Sequence, residues 1–395
     1  MTLPLQGIRV LDFGRYIAAP YCAMLLADFG ADVIRVERLE GGEDRYLAPV
    51  TETGEGPMFL ALNRNKRGLA LDLGQPQARE IQRRLIATAD VVIANLPLDV
   101  LHKLELDYAS LTALKPDIIL AQLSAFGSDG PYATRSGFDP VAQAMSGAMN
   151  VTGFPGPPIR SVVNYADYGT ALHAAFGVMV ALYERKTSGR GQVVEASLLT
   201  TGVTFMQALL AEREAIGAER RQQGNTGYHA APADTYQTQN GWIIIQAIGQ
   251  PMFKRWARLV GRPELIDDPR CTDDLTRANH HNVINAAMAA WTSQHTNTTA
   301  LAALEQARIP AAPVYDFDQT LNDPHIQARE LLKPVAYPDG AKPTLQADTA
   351  VRLSATPGSI RHRAPQCGEH SESILLALGY SAEEIARLRN AHVVR

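Results

Sequence analysis

Two short apolar runs near the N-terminus, Ile8–Phe13 and Asp32–Glu37, are separated by one helical stretch and by tight turns at Gly14–Pro20 and Gly30. Strand, helix and strand joined this closely are the signature of a parallel α/β unit. The alternation continues through a strand over 68–73, a helix over about 76–88, a strand over 90–95, another helix and a strand over 117–121. The expected fold class is α/β, a doubly wound parallel sheet that takes ligands beyond the carboxyl ends of its strands. From about 165 to 215 the pattern is helical, interrupted by the turn Thr187–Gln192 and a strand over 193–196. Residues 219–234 are polar and contain glycine, which marks a boundary. Beyond them Asn240-Gly241 reads as a hairpin turn before Trp242–Ile245. Helices over roughly 251–260, 276–293 and 298–307 complete a smaller α+β module that ends near Pro313-Val314, and a last amphipathic helix starts near Ser371.

The 395 residues are enough for two cores, and 46% hydrophobic with 20% charged residues is an ordinary globular balance. A net charge of −4 offers no general attraction to nucleic acid or an anionic membrane, so any anionic ligand must be held by local charge. Cys22, Cys271 and Cys367 are far apart and odd in number, which argues against a disulfide framework or a metal site and for a reducing compartment. With neither a secretory leader nor a long apolar run, a cytoplasmic location is expected.

The opening unit is similar to a dinucleotide fold, and Glu37 stands where such folds place the acid that binds a ribose. Gly14–Ala19 lacks the second and third glycines of the phosphate loop, which argues against a nicotinamide dehydrogenase. Glu37 alone reads as a solvated strand-end carboxylate.

An ordered set of segments spans nearly the whole chain: Gly7–Asp12, Ala19-Pro20, Leu26–Glu37, Asn63–Arg67, Ala89–Asn95, Phe126-Gly127 with Gly130–Tyr132, and Gly137–Asp139. It continues with Asp167 and Gly169, Thr187–Gln192, Gly241-Trp242, Pro310–Val314, Ala364-Pro365 and Gly368–His370. In their joint order these segments resemble the class III CoA-transferase family, which contains formyl-CoA transferase and the carnitine CoA-transferase. The resemblance implies a large Rossmann-like domain from residues 1–220 and 330–395, a smaller α+β domain over 221–329, and a homodimer of interlocked subunits. It implies CoA thioesters and carboxylic acids as substrates, with no permanently bound cofactor and no metal.

Within Asn164–Gly169 the family pattern places its nucleophile at Asp167, at the head of an Ala- and Gly-rich helix where N–H dipoles favour a carboxylate. Read alone, the same residue is an N-cap aspartate. Family alignment puts Ile17, Ala18, Arg38, Leu71, Asn95, Leu96, Lys103 and Arg135 at CoA-contacting positions, and Phe138 and Asp139 beside the acyl group. Arg160 and His229 are candidates to pair with a second substrate carboxylate, which motivates an expectation of four- or five-carbon dicarboxylic acids. Departures argue against formyl-CoA and oxalate: Ile17 replaces a glutamine, Gly74 replaces a lysine, and no long glycine-rich flap is present. Gly224–Gly227 reads either as a shorter closing loop or as a linker. The family also holds α-methylacyl-CoA racemases, whose Gly-His-Asp segment supplies a proton-shuttling histidine. Here it is Gly137-Phe138-Asp139, and phenylalanine transfers no proton. A non-catalytic acyl-CoA binder would keep the cradle without needing Asp167.

Overall fold

The computed structural model describes residues 3–337 and 342–395. A parallel six-stranded sheet in the order β3-β2-β1-β4-β5-β6 forms its centre. The strands are β1 (Arg9–Asp12), β2 (Asp32–Glu37), β3 (Lys66–Ala70), β4 (Val91–Ala94), β5 (Ile119–Ser124) and β6 (Val193–Ser197). This is the α/β fold class expected. The chain reverses its winding between β1 and β4, so the loops that leave these neighbouring strands diverge and open a crevice.

Strand β3 begins two residues before the apolar run that suggested it. Lys66 and Arg67 do not read as strand, yet Lys66 pairs in register with Val33 and Arg67 with Ile34. Their charges are met within the fold, by Asp12 and Asp32 respectively. Apolar side chains cover both faces of the sheet. One face packs Ala18, Cys22 and Leu26 of the helix Ala18–Asp28 against Ala171, Ala174 and Val178 of the helix Tyr165–Ser188. The other packs the helix Pro76–Ala87 together with Ile374, Leu375, Ile385 and Val394 from the C-terminal segment, so that segment completes the same core.

The chain forms two compact units. One runs up to Ala148 and includes Ser161–Ala208 and Ala328–Arg395; the other comprises Met149–Arg160 and Leu209–Gln327. The second thus starts earlier than the expected boundary at 221, and it takes in a segment that the sequence reading placed in the large domain. The reason is local: Gln222 donates to Thr152 O at 2.8 Å and to Pro157 O at 3.0 Å, and Tyr228 donates to Val151 O at 3.3 Å. This unit carries a three-stranded antiparallel sheet, β7 (Ala233–Gln237), β8 (Trp242–Gln246) and β9 (Ala311–Pro313). The turn between β7 and β8 spans residues 238–241, closed by Thr238 N–H to Gly241 O at 2.9 Å, rather than Asn240-Gly241 alone.

Candidate active site

A buried ionic network lies beneath the crevice. Asp12, at the end of β1, receives Lys66 Nζ at 2.7 Å, and Lys66 also donates to Pro20 O at 2.9 Å and Asn63 Oδ1 at 2.8 Å. Arg35 reaches both Asp44 oxygens at 2.9 and 3.0 Å, Asn63 Oδ1 at 3.1 Å and Gly14 O at 3.2 Å. Arg45 binds Glu37 at 2.5 Å and lies 3.9 Å over the Phe59 ring. Glu37 is therefore not a solvated carboxylate, and it lines the first of the two clefts described below. Burial works to raise its pKa, but Arg35 and Arg45 outweigh burial and hold it at about 2. In the motif Asn63–Arg67 the remaining charges are also spoken for, Arg64 by Asp28 at 2.7 Å and Arg67 by Asp32 at 2.7 Å.

This network fixes the loop after β1. Gly14 N–H meets Asp12 Oδ1 at 2.8 Å, Arg15 N–H meets Asn95 Oδ1 at 2.8 Å, and Tyr16 N–H meets Asp44 Oδ2 at 3.1 Å. Tyr16 is held at φ +61°, a left-handed conformation that an aromatic residue adopts only when its surroundings impose it. Asn95 Nδ2 donates back to Arg15 O at 2.8 Å, so the Asn95 amide ties the loops after β1 and β4 together.

Two clefts open at this point. The first, of about 480 Å³, is lined by Arg38, Leu71, Leu96 and Lys103 among the expected residues, and also by Arg15 and Arg79. Arg38 is exposed and pairs with Glu43 at 2.7 Å. The second, of about 530 Å³, is lined by Ala18, Asn95, Leu96, Arg135, Phe138 and Asp167. Arg15 and Leu96 line both, so the clefts adjoin. Arg15, Arg79 and Glu43 were not singled out from sequence, where an isolated surface charge carries no signal. Arg135 lies 4.1 Å over the Tyr132 ring, and Phe138, 60% exposed, meets Tyr16 edge-on at 5.5 Å.

The other expected residues are not among those that line the two clefts. Ile17 is buried and lines neither cleft. Arg160 and His229 belong to the second unit, where Arg160 is exposed and His229 faces Glu212 at 3.4 Å. Asp139 is 1% exposed and lines neither cleft: its Oδ2 accepts the N–H groups of Ala166 at 2.8 Å and Asp167 at 3.1 Å, and its Oδ1 accepts from Gln143.

The two N–H contacts change one part of the sequence reading of Asp167, that its carboxylate draws on the N–H groups at the helix head. The free N–H groups at the head of the helix Tyr165–Ser188 go to Asp139, so Asp167 neither caps the helix nor draws on those dipoles. Burial, followed by the nearby Asp139 charge, pushes the Asp167 carboxyl up to about 7. Small residues permit the crowding: a Cβ at Gly169 would lie 2.6 Å from the Phe205 ring. Among the described residues no group of three or more His, Cys, Asp and Glu side chains could hold a metal ion, and no helix is long and apolar enough to cross a membrane.

Fold and clefts together define a doubly wound α/β protein with two adjoining, partly basic clefts, the second lined by a carboxyl group of raised pKa. The chain belongs to CoA-transferase family III, which it matches over residues 5–371. It is a class III CoA-transferase, an enzyme of acyl-CoA and carboxylate substrates. It is 34% identical to the succinyl-CoA–D-citramalate CoA-transferase of Chloroflexus aurantiacus, over 99% of this chain and 98% of that one. It is 35% identical to the beta subunit of succinyl-CoA–L-malate CoA-transferase from the same organism, over 100% and 98% of the two chains. Among solved structures, a CAIB/BAIF family protein from Brucella suis superposes with a TM-score of 0.84 at 32% identity, covering 96% of this chain and 100% of that one.

Proposed function

We propose that the enzyme exchanges CoA between four- and five-carbon dicarboxylic acids, with Asp167 as the nucleophile. The observation that carries this reading is the Asp167 carboxyl in the wall of the second cleft, with its pKa raised into the working range and its helix dipoles assigned to another group. An Asp167 oxygen attacks the thioester carbonyl, giving an aspartyl–acyl anhydride and CoA thiolate. The thiolate then attacks the aspartyl carbonyl, forming aspartyl-CoA and releasing the first acid. The acceptor carboxylate attacks aspartyl-CoA to form a new anhydride and free thiolate, and thiolate attack on its acyl carbonyl yields the new thioester and restores Asp167. Each intermediate keeps an activated carboxyl group, so the steps are nearly balanced.

Arg38, Lys103 and Leu71 suit the nucleotide end of CoA, and Phe138 lies on the acyl side. Phe138 stands where a racemase needs its histidine, which favours transfer over racemisation. The dicarboxylate assignment rests on succinate, citramalate and malate in the relatives' names, and not on Arg160 or His229. Assayed by mass spectrometry across acyl-CoA donors and acids, the enzyme should prefer succinyl-CoA and dicarboxylate acceptors; exclusive use of monocarboxylates contradicts this. In the same assay Arg38→Ala should raise the KM for the CoA ester by about 1–3 kcal/mol of lost binding and affect kcat less, since a remote phosphate contact is made equally in ground and transition states. An unchanged KM removes Arg38 from the site.

We further infer that the enzyme works as a homodimer of interlocked chains. On the helix Tyr165–Ser188, Leu172, Phe176, Met179, Val180 and Tyr183 form an exposed apolar stripe, with Phe176 at 72% and Tyr183 at 76%. A second copy is the occupant proposed for it. Sedimentation at nanomolar concentration should find dimers until the protein unfolds; folded monomers contradict the inference.

A further inference from the structure

Asp139 is an expensive group to bury. At 1% exposure a carboxylate persists only if donors replace its water, and the donors it has found belong to the chain around Asp167. Its Oδ2 takes two consecutive N–H groups, those of Ala166 and of Asp167 itself. Its other oxygen takes Gln143, whose Oε1 in turn accepts Ser161 N–H at 2.9 Å, so the approach to the helix is clamped as well as its first turn. An aspartate in the first turn of a helix ordinarily gains from exactly such N–H groups, and that gain makes it a weaker base and a poorer nucleophile.

We propose that Asp139 is a positioning residue for Asp167: it takes the helix N–H groups that would otherwise stabilise the Asp167 carboxylate, and so leaves that carboxylate turned to the cleft and free to attack. The inference rests on the nucleophile reading above. The groups that share Asp167's surroundings are Tyr168 on its own helix, Asp139 on the helix Asp139–Met145, and Arg15, Tyr16, Glu43, Asp99 and Arg135 around the same cleft. After burial, Asp139 is the charge that acts on Asp167 to raise its pKa.

Asp167 attacks only when ionised, so turnover should fall as pH drops through about 7. Asp139→Asn keeps an oxygen for the helix N–H groups and removes the charge, whereas Asp139→Ala also releases those N–H groups to Asp167 and should move the acid limb further in the same direction. In the full-length Asp139→Asn enzyme, the acid limb of kcat should move to lower pH by roughly one unit, and kcat on the plateau should fall several-fold while the KM for acyl-CoA holds. Water-soluble carbodiimide, which labels protonated carboxyl groups, gives a readout independent of turnover. Peptide mass spectrometry should find wild-type Asp167 labelled at neutral pH and the labelling limb displaced downward in Asp139→Asn. An unmoved limb in a folded variant overturns the proposal. So does a wild-type Asp167 that labels only below about pH 5, the ordinary aspartate range, a test that needs no variant. Labelling reports the Asp167 proton whether or not Asp167 attacks, so this failure is separable from loss of the nucleophile reading, which Asp167→Asn turnover decides.

Discussion

Asp167→Asn should abolish CoA exchange and leave the protein folded. The amide keeps nearly the volume of the carboxyl, but its oxygen is a poor nucleophile and forms no anhydride at a useful rate. Stability is not expected to drop, because the Asp167 side chain caps nothing: the helix N–H groups it would have served are bound by Asp139. A carboxyl whose folded pKa is raised to about 7 contributes stability that is fully present below its unfolded value and is lost as pH rises through 7. The neutral amide escapes that loss, so the variant should match wild type at low pH and unfold at a somewhat higher temperature above pH 7. Thermal melts near pH 4, about the unfolded aspartate value, and at pH 8, run beside a turnover assay with deamidation excluded by mass, check both halves. Retained turnover would redirect the search for the nucleophile.

Lys66→Met should produce the largest loss of stability of any single change considered, about 3–5 kcal/mol. Lys66 is 2% exposed, and its ammonium serves Asp12, Pro20 O and Asn63 together. Its removal strands Asp12, which is 0% exposed, with Gly14 N–H at 2.8 Å and Arg35 no nearer than 4.0 Å. Against a typical total of about 5–15 kcal/mol, this approaches unfolding. The urea midpoint should fall sharply. Asp12→Leu added to Lys66→Met should recover part of the loss, because an apolar pair costs less than a lone buried charge. A single-variant loss under about 1 kcal/mol would contradict the network's role in holding the Gly14–Tyr16 loop.

Most of the central sheet is readable along the chain, because β1, β2, β4 and β5 are apolar runs ended by turn residues. Strand β3 is not fully readable, since Lys66 and Arg67 enter it on the strength of partners found only in the folded chain. The ionic network shows the same limit more plainly: Lys66 meets Asp12 from 54 positions away, and Arg45 meets Pro365 O from 320. Local pattern makes each of these residues a solvated surface charge. At the site, the helix head and its aspartate were legible, but local sequence assigned the helix N–H groups to Asp167. A residue 28 positions earlier takes them, and no periodicity or spacing announces such a partner.

If Asp167 carries the covalent intermediate, a nucleophile added during turnover should trap it there. Enzyme turning over its best acyl-CoA is quenched with hydroxylamine, which converts an aspartyl thioester, or an anhydride attacked at its aspartyl carbonyl, to a stable hydroxamate on the protein, and is then digested for mass spectrometry. The hydroxamate should appear on the peptide that carries Asp167, dependent on acyl-CoA and absent from Asp167→Asn. An unmodified Asp167 peptide from enzyme that is exchanging CoA, or a hydroxamate on another carboxylate, would contradict the nucleophile assignment.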